Sequence, residues 1–241
     1  MPGFRLAQRH LQPEVMDQPG LDAGEHRQAL RALARINRLS ASARILWPAI
    51  RELGRERLAS GDREPVRVLD IATGGGDVPV RLWQKVRQAN LPIEISGCDF
   101  STVALEHARN FATTHGAPIS FFPLDVIAES IPSGYDVLTS SLFLHHLDEE
   151  QALMVLGKMR ESARRSALVN DLARSRMGWL AAFIGSRVLT RSPVVHADAT
   201  LSVEGAFTLK EALKLAHRAG WNGATIQHRF PFRYLLSWRR Q

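Results

Sequence analysis

Three acids, a run of glycines and two adjacent histidines are the residues of this chain best placed to do chemistry. The run Asp70-Ile71-Ala72-Thr73-Gly74-Gly75-Gly76-Asp77 closes an apolar segment, residues 66–72. Glycines let the backbone turn tightly and come close to a ligand, and the helix expected next offers unpaired N–H groups to an anionic group. Asp99 ends the following apolar run, 23 residues past Gly76. At that spacing a carboxylate accepts hydrogen bonds from both hydroxyls of a ribose. Asp125 closes a third run, where it can meet the exocyclic amine of an adenine. The three acids together predict an adenosine-binding site. His145 and His146 follow the fourth run, and histidine is the side chain that exchanges a proton near neutral pH. His196 falls in 192–207, read as a loop folding over the pocket. The plain alternatives are packing against the pocket for His145 and His146 and a solvated loop position for His196.

The elements that must hold these residues alternate in type. Residues 1–20 contain three prolines and little periodicity, a loose lead-in. Helices are expected over 24–38 and 43–59, the second capped by Ser40 or Ser42. After Pro65 strands are expected at 66–72, 93–99, 119–125, 135–141 and 167–171, with helices at 78–88, 102–113 and 149–163 between them. Successive βα units imply right-handed crossovers and a parallel sheet covered on both faces. A long helical and loop stretch, 172–206, precedes a helix at 209–219 and two final strands near 224–230 and 232–238. The expected fold is α/β: a Rossmann-like, doubly wound, mostly parallel seven-stranded sheet, residues 63–241, with an N-terminal helical cap over 1–62. Residues 172–206 are read as a lid insertion. In such a sheet ligands bind beyond the carboxyl ends of the strands, where the strand order reverses.

Several nucleotide enzymes are disfavoured by what is missing. A dinucleotide fingerprint wants a third glycine, and Gly74-x-Gly76 is followed by Asp77, Val78 and Pro79. Neither Tyr135 nor Tyr234 has the lysine four residues on that a short-chain dehydrogenase needs, and no P-loop ending follows the glycines. The segments LDIATGGGD, GCDFS, PLDV and YDVLTSSLFLHHL resemble the successive motifs of class I S-adenosylmethionine-dependent methyltransferases over residues 65–241. Ala72, where most members have glycine, and Ile36-Asn37-Arg38-Leu39 with Trp47 are similar to the ubiquinone/menaquinone-biosynthesis C-methyltransferases. Two features depart from that group: Arg164-Arg165-Ser166 stands where relatives carry Pro-Gly-Gly, and 172–206 does not match closely.

The resemblance implies S-adenosyl-L-methionine as cofactor. It would place Asp70, Ala72, Thr73, Gly74 and Gly76 around the methionine part, with Ser141 and His146 beside the cofactor. Asp99 would hold the ribose, Phe100 flank the adenine, and Asp125 with Val126 contact its edge. His145 and His196 are the candidate bases for an acceptor that must lose a proton. Magnesium would want carboxylates at the ends of both the fourth and fifth strands. The fourth ends in Thr139-Ser140-Ser141, so no metal is expected. Cys98, inside a strand, reads as a small buried hydrophobe.

Composition narrows the partners. The 241 residues carry 31 Lys+Arg against 24 Asp+Glu, a formal +7, and only one cysteine, which excludes a disulfide framework. Residues 155–195 hold eight basic and two acidic side chains, so most of the excess is local to the fifth-strand entry and the lid. Nucleic acid is not expected: Ser141-Leu142-Phe143 replaces the Pro-Pro-aromatic stretch of amino-directed enzymes, and no basic motif is interleaved with stacking aromatics. Met177, Trp179, Leu180, Phe183, Ile184, Val188 and Leu189 make a helix apolar nearly all round. Such a helix is a core element, lines an apolar pocket or lies against lipid. The expected substrate is a hydrophobic small molecule, with a peripheral membrane or acidic carrier contact through 172–191. The N-terminus has no secretory pattern and no run is long enough to span a bilayer, so a cytoplasmic location is expected. An NAD(P)-linked oxidoreductase and a non-catalytic methyltransferase-like binding protein remain the alternatives.

Overall fold

The computed structural model describes residues 6–14, 24, 28, 42–62 and 64–241. The helix expected over 24–38 and the segment 36–39 therefore lie outside the described residues, apart from Gly24 and Gln28. The elements are α1 (Ser42–Ala59), β1 (Val66–Ile71), α2 (Asp77–Ala89), β2 (Ile93–Asp99), α3 (Thr102–Thr114), β3 (Ser120–Pro123) and β4 (Val137–Ser141). They continue with α4 (Glu149–Ser162), β5 (Ser166–Leu172), α5 (Arg176–Leu189), α6 (Pro193–Gly205), α7 (Leu209–Arg218), β6 (Thr225–Arg229) and β7 (Arg233–Arg239).

The seven strands form one sheet in the order β3-β2-β1-β4-β5-β7-β6. β1 to β5 pair in parallel, whereas β7 is antiparallel to both β5 and β6, so the sheet is mixed. The chain steps outward from β1 to β3 and then returns to place β4 on the other side of β1. That reversal between β1 and β4 is the switch point at which crossover loops diverge and leave a crevice.

Side-chain alternation sorts the strands between two faces. Val66, Val68, Val137, Leu168 and Leu235 pack with Ile45, Leu46, Ile50 and Leu53 of α1 and with Val78, Leu82 and Val86 of α2. Leu69, Ile71, Leu138, Ala167, Val169 and Leu236 face the other way, onto Val155, Leu156 and Met159 of α4 and Ala212, Leu215 and Ala216 of α7. Among the described residues, α1 thus belongs to the helical layer on one face of the sheet.

Two stretches depart from expectation. The region 192–207, read as a loop, is mostly the helix α6, started by the Ser192 hydroxyl accepting from Val195 N–H, with Pro193 in the first turn. The apolar helix α5 is not a core helix in the described structure: it buries only Gly178 and Ser186 and exposes Met177, Leu180, Phe183, Ile184 and Val188. No helix among the described residues is long and apolar enough to cross a membrane.

Candidate cofactor and acceptor site

The glycine loop leaves β1 at the switch point and is pinned from three sides. Asp70, buried at the end of β1, accepts hydrogen bonds from Thr139 Oγ1 of β4 at 2.6 Å and Thr73 Oγ1 of the loop at 2.9 Å. Thr73 N–H donates to Cys98 O at the end of β2 at 2.9 Å. Gly74 N–H donates to Asp99 Oδ2 at 2.8 Å, while Asp99 Oδ1 accepts from Ser101 N–H at 2.9 Å. Asp99 therefore latches the first loop to the start of α3.

Glycine is needed at two positions for different reasons. At Gly76 (φ +75) an added Cβ would stand 2.8 Å from Ala108 Cβ, so the residue lets α2 and α3 approach. At Gly74 (φ +54) none of the described residues lies within 4 Å of such an atom. Gly97 of β2, which spacing alone did not single out, has the same close-packing role against Phe121 and Thr73. Ala72 adopts φ +52, a conformation that disfavours a side chain.

Phe100 projects at the mouth with 65% of its surface exposed, so it is not a packing residue. Asp125 lies two residues past the end of β3, exposed, with Oδ1 accepting from the N–H groups of Ile127 and Ala128 at 2.9 and 3.3 Å. The Val126 side chain is buried in the core with Leu124 and Ile131. Ser141 ends β4, its hydroxyl 3.4 Å from Asn170 Nδ2. Cys98 is buried, and burial pushes its thiol up to about 12, leaving it protonated and inert.

A second cluster occupies the same edge beyond β4 and β5. Leu144–His146 form a short helical turn, and the β4–β5 register brings it beside Asp171. His145 is buried, with Nδ1 2.6 Å from Asp171 Oδ1, and its backbone N–H donates to Asp171 Oδ2 at 3.2 Å. Burial alone would raise the Asp171 carboxyl, but the His145 charge and its hydrogen bond hold it below the ordinary range. This partnership had no signal in spacing, since the two residues stand 26 positions apart. The rings of His145 and His146 lie tilted by 34° with centroids 4.2 Å apart.

Glu14, in the stretch read as a loose lead-in, arrives from the N-terminal side. Its Oε1 is 3.7 Å from His145 Nε2 and 3.9 Å from His146 Nδ1. Among the described residues these three side chains are the one group with potential metal-donor atoms all within 4.8 Å. Tetrahedral zinc ligands at about 2.0–2.1 Å stand roughly 3.3–3.4 Å from one another, so both pairs would have to close to grip such an ion. His196 is placed differently from expectation: it lies in the first turn of α6, and Nε2 sits 2.7 Å from Thr190 O. That ring tethers the turn between α5 and α6.

The basic excess is also partly structural. Arg174 is buried and bonded to Ala206 O at 2.6 Å and Glu211 Oε1 at 2.7 Å. Lys158 donates to the carbonyls of Val126, Ile127 and Glu129 at 2.9, 2.7 and 2.8 Å, and Arg165 pairs with Glu56 at 2.7 Å. These groups serve the fold and do not stand at the mouth.

Strand order, glycine loop and latching acid together form an α/β domain whose switch-point crevice suits a nucleotide. Residues 68–166 match the family model described as "Methyltransferase domain". A demethylmenaquinone methyltransferase of Thermus thermophilus is 34% identical over 94 residues, 38% of this chain and 41% of that protein. A ubiquinone biosynthesis O-methyltransferase of Photorhabdus laumondii is 22% identical over 157 residues, 64% of this chain and 59% of that protein. The chain thus spans 41% and 59% of the length of these curated relatives. The solved structure of the S-adenosylmethionine-dependent methyltransferase SibL in its apo form aligns with a TM-score of 0.63 at 18% identity, covering 98% of this chain and 64% of that chain. That likeness is one of fold.

Proposed function

We propose that this chain is an S-adenosylmethionine-dependent methyltransferase that moves a methyl group to an oxygen or carbon of a hydrophobic small molecule, such as a phenol, polyketide or quinone-like compound. The observation that carries the reading is the Asp99 latch on the Gly74 N–H, set on the same sheet edge as the His145–Asp171 pair.

The residues fit such a cofactor. Asp99, at the end of β2, is the acceptor for the ribose hydroxyls, exposed Phe100 offers a face to the adenine, and Asp125 stands exposed past β3 to meet its edge. Gly74 leaves space for the methionine part, bounded by Ala72, Thr73 and Gly76, while Asp70 positions the loop from beneath. Ser141 and His146 border the cofactor from the β4 side. When bound, the sulfonium supplies an electrophilic methyl group, so alignment of the acceptor does much of the work, about 7–11 kcal/mol in well-oriented reactions.

His145 supplies the base for an acceptor that must lose a proton. With Nδ1–H donated to Asp171, the imidazole is held in the tautomer whose Nε2 lone pair is available. His196, the second candidate base, stands in the first turn of α6 with Nε2 2.7 Å from Thr190 O.

The rest of the proposal concerns surroundings. A boundary near residue 62 separates an N-terminal region from the catalytic domain, with α5 and α6 as the lid. The exposed apolar face of α5, flanked by Arg176 and Arg191, suits delivery of an apolar acceptor from an anionic surface, a membrane or an acidic carrier. A cytoplasmic setting accords with a free buried cysteine.

The test is methyl transfer from labelled S-adenosylmethionine to a panel of phenols, hydroxyquinones and aromatic polyketides. Label in at least one acceptor, lost in His145→Ala, supports the reading. No transfer to any of them from a protein that responds thermally to NADPH would overturn it.

A further inference from the structure

Residues 6–14 are fastened across the site by bonds spread along their length. Arg9 Nε donates to Gly205 O at 2.6 Å, Nη2 donates to the carbonyls of His145 and Leu147, and the guanidinium lies 3.7 Å over the Phe207 ring. Leu6 O accepts from Arg174 Nε at 3.2 Å, and His10 N–H donates to Glu204 O at 3.0 Å. At the end of the segment Glu14 is buried, and its Oε1 accepts from the Ser202 hydroxyl at 2.5 Å. A carboxylate is rarely buried without a partner that uses its charge.

We propose that this segment is a strap that completes the acceptor site, with Glu14 as a positioning residue for the base His145. The proposal rests on the reading of His145 given above. Asp171 holds one side of the imidazole, and Glu14 faces Nε2 from the other at 3.7 Å, beyond hydrogen-bond reach of the neutral ring. As the acceptor oxygen takes the methyl group, its O–H bond breaks, the proton bonds to Nε2, and the electron pair of the S–C bond stays on sulfur. The imidazolium then lies between two carboxylates. Glu14, 3.7 Å from Nε2 on the side opposite Asp171, stabilises that charge as it forms.

The charged and titratable groups around His145 come from several elements. Asp171 belongs to β5, Arg9 and Glu14 to the strap, and His146 to the same turn. Tyr234 and Arg233 of β7 and Glu211 of α7 lie around Asp171 and Arg9. Glu14 is the one carboxylate among them that faces Nε2 rather than Nδ1.

The pH profile of kcat/KM in buffers containing EDTA separates this role from a structural one. Glu14→Gln should keep S-adenosylhomocysteine affinity and move the acidic limb down by about one pH unit, with a fall in kcat of roughly tenfold. Glu14→Asp keeps the charge on a shorter stem and should move the limb in the same direction, by a measurable amount but less than half as far. If Glu14→Gln does not fold, the Glu14→Asp profile against wild type carries the test alone, a shift in the same direction supporting the proposal. An unchanged limb in either folded variant overturns it, as does activity lost to EDTA and restored by zinc, which would make Glu14 a ligand. Full transfer by His145→Ala would show that the base reading itself has failed, whereas a slow His145→Ala with an unshifted Glu14→Gln would reject only the role of Glu14.

Discussion

The imidazole of His145 and the carboxylate of Asp171 meet at 2.6 Å, although one residue follows β4 and the other ends β5. The parallel register that pairs Ser141 with Asn170 sets that distance. Asp171 accepts from both the side chain and the backbone N–H of His145, so it fixes ring orientation and tautomer together. Asp171→Asn should reduce kcat/KM by about 10²–10⁴ while leaving S-adenosylhomocysteine affinity close to wild type. Steady-state kinetics and calorimetry on the same preparation check this, and equal rates would remove the dyad from the mechanism.

Asp70 gives the fold a pH dependence of unusual sign. Burial pushes its carboxyl up to about 7 from an ordinary 3.8, against the opposing bonds from Thr139 and Thr73. The unfolded chain releases this proton at the lower value, so the folded state holds more protons between the two. The contribution of Asp70 to stability therefore falls as pH rises from about 3.8 to about 7 and stays low above that. Asp70→Asn keeps acceptors and donors for both hydroxyls and should flatten that fall. Urea melts of both proteins across this range measure the difference, and parallel curves would contradict it.

Ala72 tests the strain in the loop. A left-handed backbone costs a residue with a Cβ about 1–2 kcal/mol, and glycine returns about 0.5–1 kcal/mol of that through the freedom of the unfolded chain. Ala72→Gly should leave stability unchanged or raise it by up to about 1 kcal/mol, as read from denaturant midpoints. A loss of more than that would mean the methyl group packs to some purpose.

Tyr234 is fully buried, and among the described residues its hydroxyl has no hydrogen-bond partner. An unsatisfied buried hydroxyl costs about 1–3 kcal/mol, so Tyr234→Phe should match wild type or exceed it by up to about 2 kcal/mol. Thermal melts at fixed pH test this. A clear loss of stability would show that the hydroxyl is paired, through a bound water for example.

Much of the fold was legible because local pattern and global placement agree. The continuous apolar run at β1 and the alternation of strand-like and helical segments after it announce parallel βα units, and Asp70, Asp99 and the glycines mark the carboxyl ends of β1 and β2. Helix α6 was missed although its signal was present, a Ser-Pro pair at the cap and first turn. Side-chain partnerships were not legible. Asp171 was visible as an acid at the end of β5, but its bond to His145 depends on register between strands. Glu14 is placed by Ser202 of α6 and the histidines of the β4 turn, and its strap by Arg9 over Phe207, none of which a proline-rich, aperiodic stretch announces.

The latch between Asp99 and the glycine loop is the centre of the account, and titration of S-adenosylhomocysteine into wild type and Asp99→Ala by calorimetry tests it most directly. Wild type should bind one molecule per chain with Kd of about 1 μM or tighter, about −8 kcal/mol. The variant should bind roughly 10- to 100-fold more weakly, the worth of one lost hydrogen-bonding charge. No heat from wild type, or equal affinity in the two proteins, would contradict the account.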